Sequence, residues 1–460
     1  MRAASATRIV ALLAVTVITA CSPSTQASPL PPGSGTVATA ASAANASASG
    51  DDSLVIVGRI ITMDDPPMAE AIFIEDGMVV SVGTRDEVLA AAGDGIPVVE
   101  IGDNVAYPGF IDAHAHWIGD RGYYGIDTAE AAIDAAGRRG WTSISEQWVN
   151  QERIDELTRL AADGALPLRV DAYLALNFDR EFFGDWYTER EPGPVDDRLR
   201  VRGLKIHLDD GWGKVVNWEP ADLTATISRA DAAGWQVSVH AMSTAAQELV
   251  LDAFEAAIGP VGPNRLHHRV EHATQVTDDQ LARLVAMDIG AVIHLDGAAD
   301  WILDPGVIGE FDRDDPGEAA DLIARWRDFV DARLHVASAT DAPWTFPDLK
   351  LTDELGRPVE HIAAGMDGRV RSRPDTPPWL RDQMLTAEQA LRTVTLDAAW
   401  ILGDDARRGH LAPGTLGDVT ILSGDVTTAS PDEIRAMTVA ATIVGGSAAF
   451  CGDPRICPTR

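Results

Sequence analysis

Regular patterning begins at Leu54. From there LVIVGRIITM, AIFIEDGMVVSVG and VVEIGDNVAYPGF alternate apolar and polar positions with a period of two, punctuated by Gly, Asp and Asn. Short half-buried strands joined by tight turns read this way. GHLAPGTLGDVTILSGD and MTVAATIVGGSAAF, near the other end, have the same texture. Neither end can close a core alone, so residues 53–107 and 405–450 are expected to pair into one β-sandwich. Between them, β-branched runs alternate with helix-period segments such as ADLTATISRADAAG and STAAQELVLDAFEAAIG. The spacing predicts strands at 109–114, 142–147, 168–176, 201–209, 235–241, 266–273, 289–296 and 333–341. Strands and helices in this alternation over residues 108–404 predict an α/β fold, a (β/α)8 TIM barrel. Periodicity does not report closure, which leaves a doubly wound sheet as the alternative. No Gly-x-Gly-x-x-Gly directly after a strand supports that alternative.

Ahead of this lies a different texture. Residues 1–20 place Arg2 and Arg8 before an apolar run, Ile9 to Ala20, that is too short to span a bilayer. This is the layout of an export signal. It ends Val17-Ile18-Thr19-Ala20-Cys21, which resembles a bacterial lipobox, so Cys21 is expected to carry a lipid that anchors the exported protein to the bacterial cell membrane. A plain secretory signal is the alternative. Residues 21–52 hold that cysteine and a stretch almost wholly of Ser, Ala, Pro, Gly and Thr, a composition that forms a tether. In the tail, 451–460, Cys451 and Cys457 close a short loop in which a disulfide or two free thiols are equally expected. A zinc knuckle is excluded there, because no second ligand pair stands nearby.

The formal net charge is −33, from 37 Lys and Arg against 70 Asp and Glu. Such a chain is not a nucleic-acid binder, whose affinity comes from cations neutralising phosphates, and an anionic membrane surface would repel it. With 46% hydrophobic and 23% charged residues it is able to bury a core. Only three lysines occur, Lys205, Lys214 and Lys350. A lysine inside an apolar strand therefore calls for an explanation.

Asp112-Ala113-His114-Ala115-His116 stands at the end of the first barrel strand. Alternation puts His114 and His116 on one face, within reach of one metal ion. Other ligand-type residues recur in phase: Lys205 in GLKIHLD, His240 in QVSVHA, His272 in HHRVEHA and Asp341 in VASATDAP. Their separations, 89, 35, 32 and 69 residues from His116 onward, correspond to three, one, one and two βα units. The candidates thus fall on strands 1, 4, 5, 6 and 8, whose C-terminal ends surround a single cavity in a barrel.

These motifs, with the ends of the chain, resemble the metal-dependent amidohydrolase superfamily, amidohydrolase family 3, and its branch similar to N-substituted formamide deformylases. PGFIDAHAH is the most specific motif, and the resemblance extends over most of residues 53–450. It implies a β-sandwich-plus-barrel architecture and a divalent centre, two Zn²⁺ in the usual case. His114 and His116 would bind the more buried ion, His240 and His272 the second, and Asp341 the first ion and the reacting water. Lys205 would be carbamylated and bridge the ions. The residue chemistry agrees, since a bare ammonium in an apolar strand is costly to bury and repels a cation. A lysine pairing with Asp209 or Asp210 is the plainer reading.

Around the expected mouth, Trp117, Tyr123, Tyr124, Trp148, Phe178, Trp212, Trp301 and Trp344 follow predicted strands, and Trp117, Trp212 and Trp344 are expected to contact an apolar or aromatic substrate group. His294, on strand 7, is expected to bind a substrate oxygen. His207 or Asp209 is expected behind Lys205, whereas His267 and His268 are expected to be structural. The short segment between His116 and Lys205 departs from relatives that carry a long insertion there. The reading that follows is a hydrolase cleaving an amide or related C–N bond of an N-acyl or N-formyl small molecule. A mononuclear deaminase or imidazolone-type cyclic-amide hydrolase is one alternative, and a lipid-tethered solute-binding protein on the same shell is another.

Overall fold

A computed structural model describes residues 53–209, 215–296, 317, 321–345, 352, 355–369 and 375–457. The expected signal, Cys21, the tether, Trp212 and Trp301 lie outside them.

Both ends of the chain build one seven-stranded sheet. Its order is Ser447–Cys451, Val439–Val444, Val419–Leu422, Val98–Pro108, Leu54–Ile61, Met68–Glu75, Met78–Gly83. Val98–Pro108 is the seam: it runs parallel to Leu54–Ile61 and antiparallel to Val419–Leu422, with Val419 opposite Pro108. Ile56 and Ile72 from the first end meet Val419 and Ile443 from the second in one buried cluster. On the other face Val55, Val57, Ala71 and Phe73 pack under Val88 of helix Arg85–Ala92. The sandwich layers expected from the two ends are therefore hydrogen-bonded through one continuous sheet. After its last strand Cys451 is joined to Cys457 as a disulfide, with Cα atoms 6.0 Å apart.

The barrel strands are Phe110–Ala115, Trp141–Val149, Arg169–Ala175, Leu199–His207, Gln236–Ala241, Arg269–His272, Gly290–Ile293 and Val336–Ser338. They are parallel and paired in sequence order, each at a position the alternation predicts. The ends of the path come together where Asp341 N–H donates to His114 O and His116 N–H to Ala342 O, both at 2.9 Å. Helices Gln151–Ala162, Pro220–Ala232, Thr244–Ile258 and Asp278–Met287 form the outer ring. Asn150, Ser243 and Thr277 cap three of them by accepting a backbone N–H in the first turn. Leu223, Ile227, Val250, Leu251 and Phe254 turn inward from the ring to the largest apolar cluster; full burial of each is worth roughly 1.5–3 kcal/mol.

Gly109 joins sheet to barrel at a point where a Cβ would collide with the Thr142 and Asp418 side chains. Nearby, Arg169 at the start of the third barrel strand grips Asp418 through two bonds of 2.7 and 2.8 Å, holding the two units together. Among the described residues no helix is long and apolar enough to cross a membrane.

Candidate metal centre

At the C-terminal ends of the strands lies a cavity of about 180 Å³ lined by His114, His116, Lys205, His240, His272 and Asp341, with Trp148, Phe178, His207 and Trp344. The structure thus brings together all six ligand candidates singled out by their spacing. Alternation delivers His114 and His116 from the first strand, and the register sets His207 beside His240. Alternation alone does not deliver His272, because its neighbour Glu271 already points inward to His114. The backbone turns left-handed at His272 (φ 71°) and Ala273 (φ 42°), which swings His272 into the same cavity. Asp341, past the end of its strand, is also left-handed (φ 50°). Residues other than glycine are uncommon in this region, and such conformations concentrate at functional sites.

Asp341 is the hub. Its Oδ1 lies 3.3 Å from His114 Nε2 and 3.4 Å from His116 Nε2, and its Oδ2 lies 4.0 Å from His272 Nδ1. Each histidine has a polar neighbour, hydrogen-bonded at His114 and His272 and at ion-pair distance at His116 and His240. His114 Nδ1 meets Glu271 Oε2 at 2.6 Å, His116 Nδ1 lies 3.5 Å from Asp120 Oδ2, His240 Nε2 lies 3.2 Å from Asp209 Oδ1, and His272 Nδ1 meets His294 Nε2 at 2.8 Å. Outer partners of this kind fix tautomer and ring orientation in metal sites. Glu271 is itself held by Arg269 Nε and Ser238 Oγ, both at 2.5 Å. Asp209 also accepts from Met242 N and Ser243 N.

Burial opposes ionisation of Asp341, yet the facing His114, His116 and His272 hold its carboxyl well below the usual range. Glu271 behaves alike: burial would raise it, and Arg269 and His114 pull it down. Burial, with Lys205 nearby, pushes His114 down to about 4, so its imidazole is neutral and able to offer a lone pair. Burial lowers Lys205 to about 8. Its Nζ is buried and has no hydrogen-bond partner among the described residues.

The donors suit a divalent ion. One atom each from His114, His116 and Asp341 lie within 4.8 Å of one another, and so do atoms of His272, His294 and Asp341. In the second group His294 Nδ1 donates to Ala339 O at 2.8 Å, so its Nε2 accepts from His272. That makes His294 the orienting partner of His272.

The substrate-contact expectations fare differently. Trp344 lines the cavity and is 37% exposed, with its indole N–H on Asp120 Oδ2 at 2.9 Å. Trp117 does not line it. It sits in the turn after the first strand, is fully buried, and donates from Nε1 to Asp112 Oδ2 at 2.9 Å. His294 is likewise withdrawn behind His272, and Trp212 lies outside the described residues. Asp209 rather than His207 stands behind a ligand candidate, and that ligand is His240. His268 is structural, accepting Val237 N–H at 3.0 Å.

Sequence reading missed Glu271, Asp120 and Asp112. Asp112 accepts the Thr340 N–H and O–H at 2.9 and 2.7 Å, tying the first strand to the turn that carries Asp341. The signal for Glu271 was present: Arg269 and Glu271 are two charges two residues apart in a strand buried on both faces.

A model described as the amidohydrolase family matches residues 124–450. The N-substituted formamide deformylase of Arthrobacter pascens is 26% identical over 256 residues, 55% of this chain and 43% of that protein. The chain spans less than half the length of the curated relatives it matches. Among solved structures, an uncharacterized metal-dependent hydrolase from Pyrococcus horikoshii OT3 aligns with a TM-score of 0.67 at 17% identity, covering 83% of this chain and 99% of that one. Atrazine chlorohydrolase TrzN from Arthrobacter aurescens TC1, complexed with zinc, aligns with a TM-score of 0.62 at 15% identity, covering 87% and 96%. The two structures share the fold, and the family match spans the barrel from the loop after the first strand to the last strands of the sheet. The chain belongs to the amidohydrolase family.

Proposed function

We propose that this protein is a metal-dependent hydrolase that splits an amide or related C–N bond of an N-acyl or N-formyl small molecule. The convergence of His114, His116, Lys205, His240, His272 and Asp341 on one cavity carries this reading. His114 and His116 would hold one ion with Asp341, and His240 and His272 a second. Imidazole and oxygen donors suit zinc. When bound, such an ion supplies a Lewis acid that brings the pKa of water toward neutrality and polarises a carbonyl.

Lys205, as a carbamate, would supply an anionic oxygen donor to both ions. The lone pair of its neutral amine bonds to the carbon of CO₂ and one proton leaves to solvent, converting an unpartnered buried amine into an anionic oxygen donor. Asp341, held ionised by the histidines around it, takes a proton from the attacking water and returns it to the departing amine nitrogen. Upstream, residues 1–52 export the domain and tether it through a lipid on Cys21.

Zinc-reconstituted protein is expected to hydrolyse members of a panel of N-acyl and N-formyl amines, and Asp341→Asn to lose that activity while keeping its fold. Zinc-loaded protein that binds panel members but cleaves none would favour a solute-binding role. A single ion, together with an indifferent Lys205→Ala, would favour the mononuclear deaminase or cyclic-amide hydrolase.

A further inference from the structure

The turn that follows His116 is held more tightly than a connection between strand and helix requires. Trp117 O accepts from the Tyr124 hydroxyl, and Ile118 O accepts from Arg121 Nη1 at 2.8 Å. Gly119 is gripped at both of its backbone groups. Its N–H donates to Glu146 Oε1 at 2.6 Å, and its C=O accepts from Arg153 Nη2 at 3.2 Å. Glu146 also accepts the Ile118 N–H, with its oxygens at 3.1 and 3.2 Å. It is fully buried on the second barrel strand, opposite Ala115, and does not line the metal cavity. A Cβ on Gly119 would stand 3.1 Å from Glu146 Oε1, so glycine is what lets the carboxyl come this close. Arg153, in helix Gln151–Ala162, is paired with Glu156, which also takes Arg121 Nη2 at 3.1 Å.

The residue that this clamp carries is Asp120. Its N–H donates to His116 O at 3.0 Å, and its Oδ2 serves two rings, lying 3.5 Å from His116 Nδ1 and accepting the Trp344 indole N–H at 2.9 Å. His116 turns its other nitrogen, Nε2, toward Asp341 Oδ1. A carboxylate facing Nδ1 keeps the ring proton on that side and leaves the Nε2 lone pair for an ion. We propose that Glu146 and Arg153 are positioning residues: by fixing Gly119 they set Asp120 against His116 and so orient His116 as a metal ligand. The role rests on the metal-dependent reading of the site. Such partners act only when held within about 0.5 Å of the working geometry, which a turn gripped at each peptide achieves and a free one does not. Packing alone would be served by an apolar side chain at 146, since burying a polar group is unfavourable unless it bonds.

The test reads Asp120 through its second bond. In isotope-labelled, metal-free protein the Trp344 indole N–H resonance, identified by its loss in Trp344→Phe, reports where that carboxylate stands. Glu146→Leu and Arg153→Ala are each expected to move it in the direction that Asp120→Asn moves it. Glu146→Gln, which keeps an acceptor oxygen for Gly119, should return it close to the parent position. Competition for zinc against a chromophoric chelator should show binding weakened about tenfold or more in Asp120→Asn and in Glu146→Leu. Because the clamp acts through Asp120, the double variant should lose less than about a further twofold. An indole resonance unmoved in both clamp variants, or losses that multiply in the double variant, overturn the positioning role and leave hydrolysis standing. Should Glu146→Leu not fold, Arg153→Ala, at a side chain 20% exposed, decides by the same resonance and the same double-variant comparison. A parent that holds no zinc overturns the metal reading itself, and the resonance then still decides whether the clamp places Asp120. Zinc binding that responds as stated, in a protein that cleaves no amide, upholds the clamp and refutes the hydrolysis reading.

Discussion

Glu271→Gln is the most informative single change behind the metal centre. The carboxylate is fully buried between His114 Nδ1 at 2.6 Å, Arg269 Nε at 2.5 Å and Ser238 Oγ at 2.5 Å. Glutamine keeps the volume and one acceptor but removes the charge, and its NH₂ must face a donor. Two consequences follow. The Arg269 guanidinium, also fully buried, loses its carboxylate; breaking a buried pair costs ~3–5 kcal/mol, and the acceptor that remains places the loss near the lower figure. His114 loses the partner that fixes its ring, and removing such a partner weakens metal binding by about 10–100-fold, or about 1.4–2.7 kcal/mol. Urea unfolding of metal-free protein reads the first, and zinc competition against a chromophoric chelator reads the second. A variant that holds zinc within about twofold of the parent would refute the orienting role assigned to Glu271, because that lies well below the range for such partners.

Three other outcomes are expected. Asp171 and Asp418 lie in a setting where burial opposes ionisation, but Arg408 and Arg169 outweigh it and hold both carboxyls below the usual range. Because the folded values are depressed, their stabilisation is complete above the unfolded value of about 3.9 and is lost as pH falls from there toward the folded values. Urea midpoints should therefore drop more steeply below about pH 4 in the parent than in Asp418→Asn, and equal slopes would contradict this. Replacing Cys451 and Cys457 by serine removes a short closed loop and should cost at most about 2 kcal/mol in denaturant unfolding, with kcat unchanged. Trp117→Phe removes the indole N–H from the buried Asp112 carboxylate and should lower stability by about 1–3 kcal/mol. Through Thr340 it should also lower kcat for an amide substrate while leaving KM unchanged, whereas a substrate-contacting Trp117 would raise KM.

The barrel was legible because its strands are buried runs of regular spacing, and because ligand-type residues such as Lys205, His240 and His272 recur one βα unit apart. Spacing says which strand a residue ends, and in a barrel that alone places it at the shared cavity. It does not say which side chains stand behind the ligands. Glu271 and His272 are adjacent and yet both face inward, which no period-two pattern allows; the left-handed turn at His272 that makes it possible belongs to the tertiary structure. Trp117 was misplaced for a different reason. It lies in the turn after the first strand, but that turn buries its indole against Asp112 instead of leaving it at the cavity mouth. Asn177 has no sequence signal at all, since its role is to grip the backbone of another strand thirty residues on.

The central claim is that six side chains from five strands form one divalent-metal centre with Lys205 at its middle. Elemental analysis of zinc-reconstituted, desalted protein tests it most directly, with Lys205→Ala measured beside the parent. The account predicts about two zinc ions per chain in the parent and about one or none in the variant. No retained zinc in the parent, or an undiminished count in Lys205→Ala, would contradict it.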